Sequence, residues 1–192
     1  VTLLPPDPIA VLADVLRRHE PADEAEGRDR DRILDFVGRH PDPFDRRIAE
    51  GHLTGSAIVV SASGDEVLLV HHRKLDRWLQ PGGHAAAGET TAEAVALREA
   101  LEETGLRGLV LHPTAPRPLD VDVHDIPARE GEPAHQHLDL RYLVVAPEGA
   151  ALSPQVEELH ALRWVGWDMA GRLGEDPGLR RAFAKVRAVL GR

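Results

Sequence analysis

Residues 82–106, Gly-Gly-His-Ala-Ala-Ala-Gly-Glu-Thr-Thr-Ala-Glu-Ala-Val-Ala-Leu-Arg-Glu-Ala-Leu-Glu-Glu-Thr-Gly-Leu, set a glycine-rich turn ahead of a helix with two opposed sides. At about 100° per residue, Arg98, Glu99, Glu102 and Glu103 share a sector of roughly 140°, with Ala94, Leu97, Ala100 and Leu101 opposite. One side is expected in the core, and the other is acidic. Glu99 and Glu103 are like-charged i,i+4 neighbours, and Glu102 adds to their repulsion. They also fall near the helix C-terminus, where the macrodipole disfavours anions. Helix stability alone would place lysine or arginine there. A hard divalent cation with oxygen ligands, Mg2+ or Mn2+, would convert the repulsion into binding.

The ends of this helix are legible. Thr90 followed by Glu93 has capping-box spacing, and Gly105 suits the left-handed position after the last turn, so the helix is expected at about 91–104. Pro81-Gly82-Gly83 allows a ligand or metal to approach main-chain groups closely. A solvated helix face after an ordinary glycine turn is the competing explanation. It weakens once Gly-Gly, Gly88-Glu89 and Gly105 are taken with Arg-Glu-x-x-Glu-Glu.

These residues resemble the Nudix box, Gly-x5-Glu-x7-Arg-Glu-U-x-Glu-Glu-x-Gly-U, where U is bulky and apolar. Gly83, Glu89, Arg98, Glu99, Glu102, Glu103, Gly105 and Leu106 match in identity and order. Two departures are present: eight residues separate Glu89 from Arg98 where the pattern has seven, and the first U position is Ala100. The extra residue falls where loop becomes helix, so it bears on Glu89 and not on the spacing of Arg98, Glu99, Glu102 and Glu103. Trp78-Leu79-Gln80-Pro81-Gly82-Gly83 is similar to the family's Trp-x-x-Pro-Gly-Gly lead-in. Glu158 to Trp164 is similar to its Glu-x5-Trp strand start. The resemblance covers about residues 53–170.

The fold that follows is α/β: a Nudix-like α/β/α sandwich with a mixed sheet and an N-terminal helical extension. Residues 1–50 are expected to form that extension and 51–192 the hydrolase domain. Asp7-Pro8 reads as a cap with proline at the first helical position, and Ile9, Leu12, Val15 and Leu16 give an apolar stripe. Ile33, Leu34, Phe36 and Val37 suggest a second helix ending before Pro41. These helices would pack on the core, on a second copy in a homodimer, or serve as a lid. From Leu53 the pattern turns to strands: Ala57–Val60, a Ser63-Gly64-Asp65 turn and Val67–Val70 form a hairpin. Further strands are expected near Leu109–Leu111, at Leu119–Ile126, Gln136–Val145 and Leu162–Val165, then a helix at about 177–190.

Within Leu119–Ile126 and Gln136–Val145, apolar and polar residues alternate, so each strand has a polar face. If the two pair, Asp122, His124, His135, His137 and Asp139 converge. That face would meet solvent, line a substrate cavity or hold a second metal, although no tight ligand motif is present. His71, His72 and His84 flank the glycine turn, and Arg73 and Lys74 form a candidate phosphate-facing pair. Trp78, Trp164, Trp167 and Tyr142 are the main residues able to stack on a base, with Trp164 more simply core.

The chain carries a net charge of −9 and no cysteine. The acidic balance argues against general nucleic-acid binding, and the missing thiols exclude disulfides and thiolate chemistry. No signal peptide or membrane span is recognised, which makes the cytoplasm the simplest expectation. The resemblance implies hydrolysis of a small-molecule diphosphate, usually a nucleotide derivative. Mg2+ or Mn2+ would be held by Glu99, Glu102, Glu103 and the Gly83 carbonyl, with Arg98 orienting the carboxylates. Glu102, Glu103, Glu157 and Glu158 are candidates for the general base, although Glu158 is more simply a surface carboxylate. Arg73, Lys74, Trp78, His84, His124, His137 and Asp139 are the substrate-binding candidates. A non-catalytic nucleotide sensor on the same fold is the alternative; a diphosphate isomerase ranks last because it would normally need a cysteine.

Overall fold

The computed structural model describes residues 7–73, 75–129, 131–153 and 159–192. Its centre is a parallel pair that hydropathy alone does not announce. Strand β1 (Gly51–Val60) runs alongside β7 (His135–Val145) for ten partnered residues, from Gly51↔Gln136 to Val60↔Val145. The other edge of β7 takes β6 (Asp120–Ile126) and the short β5 (Val110–Leu111), both antiparallel. The other edge of β1 takes β4 (Gly82–His84), then meets β2 (Glu66–His72) at Val60↔Val67. Strand β2 pairs with β3 (Arg77–Leu79) and with β8 (Leu159–Gly166). One mixed, curled sheet results.

Both faces of this sheet are covered, as a near-continuous apolar run in a parallel pair requires. On one face Leu53, Ala57 and Val59 of β1 join Leu138, Leu140, Tyr142 and Val144 of β7. Over them pack helix α3 (Ala92–Thr104) and the N-terminal helices α1 (Pro8–Arg17) and α2 (Glu24–Arg39), through Val95, Ala96, Leu16, Ile33 and Phe36. On the other face Ile58, Val60, Leu143, Val67 and Leu69 meet α4 (Trp167–Leu173) and α5 (Pro177–Val189) through Ala170, Leu179, Phe183 and Val186. The layering is α/β/α, and the N-terminal helices share the core of the sheet.

The local signals explain most boundaries. Asp7 caps α1 with Pro8 at its first turn, Asp23 caps α2, and Asp176 with Pro177 opens α5. Three features differ from the sequence expectation. The cap of α3 is Thr91, whose hydroxyl accepts from Ala94 N–H, so the helix starts one residue beyond the Thr90 reading. Strands β3 and β4 have three residues each and form by pairing with β2 and β1, not by propensity. The apolar side of α3 is rotated: Ala92, Val95, Ala96, Ala100 and Thr104 are buried, whereas Leu101 is 42% exposed. The helix lies so close to β1 that a Cβ on Gly55 would sit 2.2 Å from the Ala92 carbonyl oxygen. Small residues can meet the sheet at that distance, but leucine cannot.

The N-terminus of α2 wraps the outer edge of β6 and reaches α5. Glu26, fully buried, accepts from Val121 N–H, Ala22 N–H, His19 and Lys185. It thereby caps one backbone donor of an edge strand. Burial alone would raise its carboxyl, but the hydrogen bonds from His19, Ala22 and Lys185 override this and hold it at about 2. Beside it, burial pushes Asp120 upward despite its contacts with Arg181 and Arg141.

Two predictions follow from this packing. Phe36→Ala should destabilise the fold by about 3–5 kcal/mol, read from denaturant midpoints, because a fully buried ring is removed from the shared core. A loss near zero would detach α2 from that core. The folded pKa of Glu26 lies below its ordinary value, so its stabilisation is complete above about pH 4.5 and vanishes as pH falls through about 2. The melting-temperature gap between the wild type and Glu26→Gln should therefore narrow from about pH 6 to about pH 3.

Candidate active site

The turn into β4 and the last two turns of α3 face each other, and glycine makes the contact possible. A Cβ on Gly83 would stand 2.6 Å from Oε1 of Glu99, and Gly82 N–H donates to Oε2 of Glu103 at 3.3 Å. Glu99 and Glu103 of the acidic side therefore meet the glycine turn while Glu102 stays half-exposed, which accounts for the rotation of the apolar side.

Arg98 gathers the carboxylates. Its Nε and Nη2 donate to the two oxygens of Glu89 at 3.0 and 3.1 Å, and its Nη1 donates to Glu102 at 2.8 Å. Nη2 also lies 3.0 Å from Glu99 and donates to the His84 carbonyl at 2.6 Å. Such a planar fork suits charge-assisted, bidentate contact. The extra residue ahead of α3 is absorbed in the loop, since Glu89 still reaches Arg98 and also accepts from Ala86 N–H.

Electrostatics differ across the set. For Glu89, burial is outweighed by Arg98 and the Ala86 N–H, and the carboxyl is held low. For Glu99, burial dominates; Arg98 relieves it, repulsion from Glu102 and Glu89 adds to it, and the net direction is upward. Side-chain exposure of 18% for Glu99 and 51% for Glu102 leaves oxygens open towards the rim. Glu99, Glu102 and Glu103 together offer the hard oxygen donors that Mg2+ or Mn2+ takes.

The polar side of the β6–β7 pair does converge, with Asp122 opposite Asp139 and His124 opposite His137. It is not a solvent-facing surface: Asp122, Asp139, His135 and Arg141 are all buried. Asp139 accepts from the Thr54 and Ser56 hydroxyls at 2.9 and 2.8 Å and from Arg141 Nε at 3.1 Å. It is 1% exposed, so its expected contact with a ligand gives way to bracing of β1 against β7. Arg141 is held among Asp120, Asp122 and Asp139. His124 Nδ1 lies 3.0 Å from Asp122, and its side chain is 41% exposed.

His84 follows Gly83 directly, and its Nε2 lies 3.1 Å from Nε2 of His137. His52, on β1 opposite His137, completes the group; the sequence reading missed it. Its signal was available, because it shares a strand face with Thr54 and Ser56 ahead of the apolar Ile58 and Val60. Burial pushes His52 and His84 down to about 4 and His137 to about 2, each lowered further by neighbouring positive groups.

The remaining candidates separate. Trp78 is half-buried, packed on His71 at 4.9 Å between ring centroids and covered by the Arg163 guanidinium at 5.3 Å. Tyr142 is core, Trp164 packs against the core, and Trp167 lies against Phe183 with its Nε1–H bonded to the Gly64 carbonyl. Arg73 is exposed just after β2. Lys74, Glu157 and Glu158 lie outside the described residues. Two surface hollows of about 490 and 560 Å³ are lined by residues such as Ser61 and Trp164, and Leu119 and Lys185, away from α3.

With this geometry in view, the comparisons are decisive for kinship. A family model of the NUDIX domain matches residues 51–186. The chain belongs to the Nudix domain family. It is 34% identical over 101 residues to a "Probable DHNTP pyrophosphohydrolase" of Lactococcus lactis subsp. cremoris, covering 52% of this chain and 57% of that protein. The match thus spans little more than half of that relative's length. Among solved structures, a C. elegans Ap4A hydrolase binary complex superposes with a TM-score of 0.59 at 17% identity, covering 72% of this chain and 97% of the other. The NUDIX domain of Shewanella oneidensis NrtR complexed with ADP ribose gives 0.54 at 16% identity, with 72% and 87% covered. These likenesses establish the Nudix fold. No helix among the described residues is long and apolar enough to cross a membrane.

Because a Cβ at position 83 would meet only the end of a flexible side chain, Gly83→Ala should fold normally yet displace Glu99. Mn2+ affinity, followed by electron paramagnetic resonance, should fall roughly tenfold. Unchanged affinity would separate Glu99 from the cation.

Proposed function

We propose that this chain is a divalent-metal-dependent pyrophosphohydrolase that cleaves the diphosphate linkage of a nucleotide derivative. The observation that carries this reading is the Arg98 fork holding Glu89, Glu99 and Glu102 against the Gly82–Gly83 turn, with Glu103 bonded to that turn. Family membership and the likeness to nucleotide-handling relatives support it.

The donor set fits a hard cation on two counts: three carboxylates crowd one helix end, and the glycine turn leaves the room that a side chain would fill. Glu99, Glu102, Glu103 and the Gly83 carbonyl would hold Mg2+, with Mn2+ as its substitute. When bound, the ion supplies the positive charge needed by the phosphate oxygens and an attacking water. Arg98 fixes the directions of three carboxylates at once and is a positioning residue. Glu102, the more exposed of the helix carboxylates with resolved contacts, and Glu103 stand as the general-base candidates within the box; Glu158 stays a candidate from the later loop. Asp139, Thr54, Ser56 and Arg141 keep β1, β6 and β7 in register beneath the site. On this reading His84, His124 and His137 would face the nucleoside part, with Arg73 just after β2, Trp78 on β3, and Lys74 a candidate by its place in the sequence between them.

The test is release of phosphate or nucleoside monophosphate from a panel of dinucleoside polyphosphates, nucleotide sugars, ADP-ribose and pterin or nucleoside triphosphates, with and without Mg2+. Metal-dependent release should fall at least tenfold, about 1.4 kcal/mol in transition-state free energy, in both Glu102→Gln and Glu103→Gln while the fold survives. Turnover unchanged in both variants would remove the mechanism. Binding of a panel member without any turnover would favour a nucleotide sensor.

A further inference from the structure

Five histidines gather where β1, β4, β6 and β7 come together, and three of their buried ring nitrogens make no hydrogen bond. His52, 2% exposed, has neither Nδ1 nor Nε2 hydrogen-bonded; His135, 8% exposed, has an Nε2 with no hydrogen bond, the Glu132 carboxylate lying 3.8 Å from it. A neutral imidazole carries one N–H and one lone pair, so His52 leaves both a donor and an acceptor unmatched. Native interiors rarely leave such groups without protein, an ordered water or an ion to answer for them, and the clustering of imidazoles here favours an ion.

The geometry fixes what kind of ligand. His135 Nδ1 lies 2.9 Å from the Pro133 carbonyl oxygen, which can only accept, so Nδ1 carries the proton and in the neutral ring Nε2 keeps its lone pair. A backbone carbonyl orienting one ring nitrogen while the other faces a buried centre is the outer-shell arrangement of metal-bound histidines. His52 sits between the other rings, with centroids 5.0 Å from His135, 5.0 Å from His137 and 4.9 Å from His84. One nitrogen from each of His52, His135 and His137 can be chosen so that all three lie within 4.8 Å of one another. Zinc–nitrogen bonds of about 2.0–2.1 Å hold tetrahedral ligands about 3.4 Å apart, a contraction within reach of small ring rotations. His84 and His137 already face each other at 3.1 Å through their Nε2 atoms. At that separation either one of the two nitrogens donates its proton to the other or a cation lies between them.

We propose that His52, His135 and His137, with His84 on the fourth side, form a binding site for one transition-metal cation of the zinc type, distinct from the carboxylate set on α3. Imidazole selects such ions, whereas Mg2+ and Ca2+ prefer oxygen. The ligands stand on β1, β4 and β7, so the ion ties together three strands beneath the glycine turn. Because the His84 carbonyl accepts from Arg98, a filled site also fixes the anchor of the carboxylate fork. The inference does not depend on hydrolysis, and either can fail alone.

The experiment uses full-length protein without a histidine tag, stripped by chelator dialysis and then titrated with Co2+ and with Zn2+. The expected result is one tightly held equivalent that gives the visible ligand-field bands of a nitrogen-rich Co2+ site. X-ray absorption of the zinc-loaded wild type should show at least three imidazoles. His52→Asn and His137→Asn should each weaken Co2+ binding roughly tenfold or more, while Glu102→Gln retains the bands. Coordination by oxygen alone, failure of the wild type to retain an equivalent, or bands lost in Glu102→Gln but kept in His52→Asn would each overturn the proposal. The wild-type spectra decide the matter even if a histidine variant does not fold.

Discussion

The Arg98 guanidinium is the contact on which the site depends. Three carboxylates within one helical turn of each other, near the negative end of that helix, repel one another and the macrodipole. Arg98 answers part of this by reaching Glu89, Glu99 and Glu102 and by anchoring on the His84 carbonyl. Burial, with repulsion from Glu102 and Glu89, still pushes the Glu99 carboxyl upward against the relief Arg98 gives. Under the proposed function, a divalent cation would supply the further positive charge, and the half-exposed Glu102 leaves an oxygen accessible for it.

Every layer contributes to that arrangement. The parallel β1–β7 pair sets the floor, Gly55 lets α3 settle on it, and β4 brings the glycine turn against the acidic side of the helix. Burial of Leu16, Ile33 and Phe36 in the same cluster as Val95 and Ala96 makes the N-terminal helices part of the support beneath α3. At the far edge, Glu26 and Lys185 connect α2 to α5 around β6. Such buried ion pairs hold position more than they add stability, because desolvation offsets much of their attraction.

Much of this was legible in the sequence because local chemistry governs it. Asp7-Pro8 and Gly105 mark helix ends wherever they occur, and the alternation in residues 119–126 and 136–145 announces two-faced strands. What could not be read was set by distant pairing. Strands β3 and β4 have no pattern of their own, and the rotation of α3 follows from Gly55 and Gly83 accepting close neighbours. The polar strand face was visible, but its burial was not, since Arg141 and Asp139 become tolerable inside only when Asp120, Asp122, Thr54 and Ser56 surround them. His52 was overlooked because its partners in space lie more than 30 residues away in sequence.

The most direct measurement of the central claim is an anomalous difference map from a crystal soaked in Mn2+ with a non-hydrolysable nucleotide diphosphate. The account predicts density bounded by Glu99, Glu102, Glu103 and the Gly83 carbonyl, with diphosphate oxygens on its open side. Manganese bound elsewhere, with those carboxylates touching only Arg98 and water, would contradict it.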